Sequence, residues 1–195
     1  MSERIGRVER VTKETSVEVE LRLDGQGRAT VSTGLGFLDH MVTALARHAR
    51  FDVELRCVGD LEICDHHTVE DCALTLGRAL DEALGERRGI RRFGSAFAPL
   101  DEALARAVVD LSGRPHAEVD LALRREAIGQ LACENLGHFI RSLAIASRSC
   151  VHVDVLRGEN DHHKAEAAFK ALALALRAAV EVDGGGEVPS TKGVL

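Results

Sequence analysis

The chain has 195 residues, 45% of them hydrophobic and 29% charged, with a formal net charge of -6. That is a globular composition, long enough for one sizeable domain or for two similar halves around a shared core. The acidic balance and the lack of Trp and Tyr argue against nucleic acid and anionic lipid as partners, since neither bulk attraction nor an aromatic stacking platform is on offer.

No apolar run approaches the roughly 18–20 residues of a membrane span. The opening MSERIGRVERVTKE lacks the apolar stretch of a signal peptide, so a cytoplasmic protein is expected. Strands are predicted at 7–12, 16–23, 28–33 and 51–58, with Asp24-Gly25-Gln26-Gly27 as a hairpin turn between the second and third. Helices are predicted at 37–48 and 66–84, where apolar residues recur at i, i+3 and i+4. Gly85 and Gly89 close this half. Strands at 103–111, 116–123 and 150–156 and helices at 132–147 and 162–181 follow. Gly184-Gly185-Gly186 then ends the last helix and frees a tail, 184–195. The order repeats, so the reading is an α+β fold: a single catalytic domain of two pseudo-symmetric halves, about 1–88 and 89–183. Each half is a mostly antiparallel sheet with two helices on one face.

The strongest signal is a repeated motif. Asp65-His66-His67-Thr68-Val69-Glu70 recurs 96 residues later as Asp161-His162-His163-Lys164-Ala165-Glu166. A lone histidine precedes each copy, His40 by 26 residues and His138 by 24. At a helix start, residues four apart share a face and adjacent residues diverge by about 100°. His66 and Glu70 can therefore chelate one metal, and His162 and Glu166 another. His67 and His163 point elsewhere, and pseudo-symmetry lets each serve the other half's metal. One lone histidine completes each set, and spacing alone does not say which goes where. Three imidazoles and one carboxylate suit a first-row divalent ion, and open positions on an octahedral centre favour Mn²⁺ or Fe²⁺ over closed zinc. Asp39, Asp65 and Asp161 are candidates to orient the imidazoles. His48 and His116 read as surface or capping residues, and His152 as a core histidine. The five cysteines, Cys57, Cys64, Cys72, Cys133 and Cys150, form no C-x-x-C pair and read as small buried hydrophobes.

These residues resemble the imidazoleglycerol-phosphate dehydratase family over nearly the whole chain. The stretches that carry the resemblance include TGLGFLDHM (33–41), GDLEICDHHTVED (59–71), PLDEAL (99–104), DLSGRP (110–115), LRGENDHHKAEAAFKAL (156–172) and PSTKGVL (189–195). The resemblance implies duplicated ribosomal-protein-S5-domain-2-like halves, each with a four-stranded sheet. It implies dehydration of imidazole glycerol phosphate to imidazole acetol phosphate in histidine biosynthesis, with two Mn²⁺ binding the substrate ring as imidazolate. It also implies a homo-oligomer of 24 subunits with sites between neighbours. One metal would take His40, His67, His162 and Glu166, and the other His66, Glu70, His138 and His163. Glu14 matches a substrate-contacting position and is the expected base. Arg92, Arg114, Ser190 and Lys192 are expected to hold the substrate phosphate. The family often has an acid where Cys64 stands, which leaves that position without an assigned role. A dinuclear hydrolase and a metal store are the rival readings. The first lacks an obvious bridging carboxylate here, and the second needs no phosphate pocket.

Overall fold

The computed structural model describes residues 3–191. Three strands open the chain: β1 (Ile5–Val11), β2 (Thr15–Arg22) and β3 (Ala29–Ser32). Helix α1 (Gly36–Ala49), strand β4 (Asp52–Gly59) and helix α2 (His66–Leu84) complete the first half. The second half runs β5 (Phe93–Leu100), β6 (Ala103–Asp110), β7 (His116–Asp120), the short pair β8 (Ala127–Ile128) and β9 (Leu131–Ala132), α3 (Cys133–Ala146), β10 (Cys150–Arg157) and α4 (Asp161–Val180).

The two main sheets have matching orders, β1-β2-β4-β3 and β5-β6-β10-β7. In each, the last pairing, β3 with β4 and β7 with β10, is parallel and the rest are antiparallel. Alternation selects the buried face: Val17, Val19 and Leu21 of β2 are buried while Ser16 and Glu18 are exposed. Helices α1 and α2 lie on the first sheet, α3 and α4 on the second. The helix layers then meet, α1 against α4 and α2 against α3, so four helices are sandwiched between two sheets. Helix α4 explains its own composition: Ala165, Ala167, Ala168, Ala171, Ala173, Ala175 and Ala179 are all fully buried, as in a helix enclosed on most sides.

Two glycines let strands lie directly on helices. A Cβ on Gly6 of β1 would collide with the carbonyl of Ala79 in α2, and one on Gly94 of β5 with the carbonyl of Ala175 in α4. The clash is the same in both halves, at corresponding strand positions.

Three expectations need correction. Asp24–Gly27 is not a hairpin turn, because β4 lies between β2 and β3. The segment is a crossover tied to β4, where the Asp52 carboxylate accepts from the amides of Gln26 and Arg28. Strand β5 was not predicted, because FGSAFAPL is poor in β-branched residues and its outward positions are Phe93 and Phe97. The segment after Gly184–Gly186 is anchored rather than free: Gly89 N donates to Glu187 O and Arg92 Nη1 to Pro189 O.

Candidate metal centre

The N-terminal turns of α2 and α4 carry the repeated motif, and the partner helix of the opposite half supplies a third donor to each. On α4, the Asn160 side chain accepts from the His162 amide and starts the helix. His162 and Glu166 are then one turn apart, with His162 Nε2 at 3.1 Å from Glu166 Oε2. His40 of α1 brings its Nε2 to 3.0 Å from the same oxygen. Phe37 packs edge-on against His162, with ring centroids 5.1 Å apart. The other cluster mirrors this one. His138 of α3 places Nε2 at 3.0 Å from Glu70 Oε1 on α2, and the rings of His66 and His138 stack at 4.7 Å. In each trio, His40–His162–Glu166 and His66–Glu70–His138, one donor atom per residue lies within 4.8 Å of the other two.

Electrostatics favour donors ready for a cation. Burial alone would raise the Glu166 carboxyl, but Lys170 at 2.7 Å, with His40 and His162, holds it down at about 2. Two imidazoles and one carboxylate match the donor preferences of first-row divalent ions.

His67 and His163 turn away from both trios. His67 Nδ1 donates to Asp60 at 3.0 Å and His163 Nδ1 to Glu102 at 2.7 Å. Those bonds raise both imidazole pKa values and fix each ring so that Nε2 faces outward. Beyond each Nε2 stands a carboxylate on a hairpin tip: Glu14 in the β1–β2 turn at 3.8 Å from His67, and Asp101 in the β5–β6 turn at 3.8 Å from His163.

Residues 33–176 match the family model described as imidazoleglycerol-phosphate dehydratase (IGPD). The chain belongs to the IGPD family. It is 51% identical to an IGPD of Saccharomyces cerevisiae, with all of both chains covered. It is 63% identical to an IGPD of Phytophthora nicotianae over 96% of this chain, but spans only 42% of that longer protein. Solved structures agree: an IGPD from Pyrococcus furiosus superposes with TM-score 0.83 at 41% identity, covering 96% of this chain and 100% of that one. The IGPD of Staphylococcus aureus gives 0.82 at 34% identity, over 91% and 99%.

In this IGPD-family chain the anion-binding candidates gather elsewhere. Arg92, Arg114 and Ser190 line a cavity of about 600 Å³ together with Phe93, Glu187, Val188, Pro189 and Thr191. Arg92 is not a loose surface charge: Asp110 grips it through Nε at 2.6 Å and Nη2 at 3.0 Å. Lys192 lies outside the described residues.

The orienting residues differ from those expected. Asp39 accepts from the amide and hydroxyl of Thr33, Asp65 from the amide of Ala132, and Asp161 from the amides of Arg124 and Arg125. None of the three holds an imidazole. Asp60, Glu102 and Asn135 do so instead, the last through His66 Nδ1 at 3.1 Å. Adjacency to the motif was a misleading cue, because Asp65 and Asp161 are already committed to backbone amides of other segments and Asp39 to Thr33. Glu102 is 61 residues from His163, and only the fold brings them together. His152 is also corrected: it is exposed on β10, not in the core. Among the cysteines, Cys64 is exposed and Cys150 half-buried, while the other three are buried.

Proposed function

We propose that the protein dehydrates imidazole glycerol phosphate to imidazole acetol phosphate, as a hydro-lyase of histidine biosynthesis. The observation that carries this reading is the pair of matched His-His-Glu trios in a chain of the IGPD family. The donor chemistry fits two Mn²⁺ ions, held by His40, His162 and Glu166 and by His66, Glu70 and His138. His67 and His163 serve as fourth ligands. When bound, the ions supply the positive charge that favours the imidazolate form of the substrate ring.

The reaction removes a hydroxyl from one carbon and a proton from the next, and the resulting enol becomes the ketone. Glu14 is the base for the carbon-bound proton: it stands beside the outward face of His67 and is about half exposed, within reach of a small substrate. The departing hydroxyl takes up a proton from solvent and leaves as water, and Asp101, with the same station beside His163, is placed to relay that proton. Arg92, Arg114, Ser190 and Lys192 hold the phosphate.

These parts belong to different copies of the chain in the proposed active site. Arg92 N donates to Ala179 O at one end of α4, whereas Glu166 sits near the other. That span of helix is about 20 Å, too long for one small phosphorylated substrate. His67 and His163 likewise face away from the trios they would complete. A closed homo-oligomer, 24 subunits in this reading, brings the pieces together. A hydrolase is less well supported, since no carboxylate is common to both trios.

The test is turnover of imidazole glycerol phosphate by protein stripped of metal and then reloaded with Mn²⁺. Activity lost on stripping and regained on reloading is expected. Metal uptake without imidazole acetol phosphate would reject the proposed reaction.

A further inference from the structure

Strand β7 is the edge of the second sheet and pairs only with β10, in parallel. Its register sets Cys150 opposite His116 and His152 opposite Glu118. Val151 and Val153 of β10 are buried, at 2% and 0% exposure, so Cys150 and His152 face outward by alternation. His116 and Glu118 are exposed on the same face, with side chains 56% and 66% accessible. Two imidazoles, a thiol and a carboxylate thus occupy the corners of one rectangle on an open sheet surface.

Among the described residues only the two trios have their donors already gathered within 4.8 Å of one another, so at this rectangle side-chain rotation has to bring the donors together. The His116 and His152 rings lie on one diagonal with centroids 5.7 Å apart, and His116 Nε2 is 3.3 Å from Glu118 Oε1. Neighbouring strands are about 4.8 Å apart and alternate residues about 6.6 Å, so the rectangle's centre is only about 4 Å from each corner. An ion above that centre is within side-chain rotation of a thiolate at about 2.3 Å and imidazole nitrogens at about 2.1 Å. His152 has no hydrogen-bond partner among the described residues, and its one aromatic neighbour there is His116. Neither imidazole carries the sheet, whose cohesion comes from backbone pairing and from the inward valines.

We propose that His116, Cys150 and His152, with Glu118 as fourth donor, form a further binding site for a borderline divalent ion of the Zn²⁺ class. The donor set separates it from the proposed dinuclear centre. A thiolate selects a softer ion than an all-imidazole and carboxylate site does, and disfavours Mn²⁺. The ion would clip the edge strand β7 to β10, just after the Ser112–Arg114 turn, and so restrain Arg114.

Cobalt is the probe, because a thiolate bound to Co²⁺ gives an intense near-ultraviolet charge-transfer absorption that imidazole and carboxylate ligands do not. The trios contain no sulfur, so this absorption cannot come from them and does not depend on dehydratase activity; the cysteine variants assign it to one thiol. Adding excess Co²⁺ to the metal-stripped full chain is expected to produce it. Cys150→Ser and His152→Asn are each expected to abolish it and to lower bound cobalt by about one ion per chain. Cys64→Ser should keep it, and Zn²⁺ should bleach it. Absence of the absorption in the unmodified chain, or its survival in Cys150→Ser, would overturn the proposal.

Discussion

Glu102 Oε2 accepts from Nδ1 of His163 at 2.7 Å, while its other oxygen accepts from the amides of Glu159 and Asn160. One carboxylate therefore holds both the imidazole and the loop that leads into α4. These bonds, the one from His163 foremost, keep Glu102 ionised down to about 2. Glu102→Gln retains the size but weakens the acceptor. Metal titration is expected to show affinity reduced about 10–100-fold at one of the two proposed ions. Unchanged affinity for both would remove Glu102 from the site.

Glu14 and Asp101 are predicted to act on protons and not on metal. Glu14→Gln and Asp101→Asn should each lower kcat by about 10²–10⁴-fold, with metal content unaltered. Near-normal turnover in Glu14→Gln would discard it as the base. If Asp101→Asn raised KM alone, it would be a binding group.

Shared sites predict complementation. His67→Ala and His40→Ala should each be inactive alone, since each breaks the same proposed metal set. Co-assembled in equal amounts, they should recover activity at about a quarter of the sites, where an intact trio meets an intact His67 on another chain. No recovery in mixed oligomers would mean that all ligands come from one copy.

The buried pair Lys164–Asp161 makes a prediction about acid. Both side chains are nearly inaccessible and 2.6 Å apart, and Lys164 Nζ also donates to Ala122 O. Burial pushes the Asp161 carboxyl up, but Lys164 and the amides of Arg125 and Arg124 outweigh it and hold the group at about 2, below its ordinary 3.8. A lowered carboxyl stabilises the fold above its unfolded pKa, and that stability drains as pH falls from 3.8 towards about 2. Lys164→Met strands the buried charge and should cost about 3–5 kcal/mol at neutral pH. Its metal-free unfolding should then lose the share of the acid dependence that Asp161 contributes, leaving that of Glu102 and Glu166, which are also held at about 2. Denaturant melts across that pH range would show it.

Gly6→Ala and Gly94→Ala test the duplication as packing. Each puts a methyl onto a helix carbonyl, so each should destabilise by about 1–3 kcal/mol or more. A thermal melt with little change in either variant would mean that strand and helix can part without cost.

Periodicity and the repeat alone located both halves, all four long helices and seven of the strands. They did so because amphipathic spacing is a local property that burial enforces one residue at a time. Strand β5 escaped because its sequence is ordinary by local measures and becomes a strand only beside β6. The divergence of His66 from His67, and of His162 from His163, was likewise legible, since adjacent helical residues must point apart. What tertiary structure decided was partnership. It set His40 against Glu166 and His138 against Glu70, because the helix layers meet as α1 on α4 and α2 on α3. It chose Asp60 and Glu102 over the acids beside the motif, because those acids were already committed to backbone amides. It also set His116 beside the outward-facing His152, because β7 adds to β10 in a parallel register that no local pattern encodes.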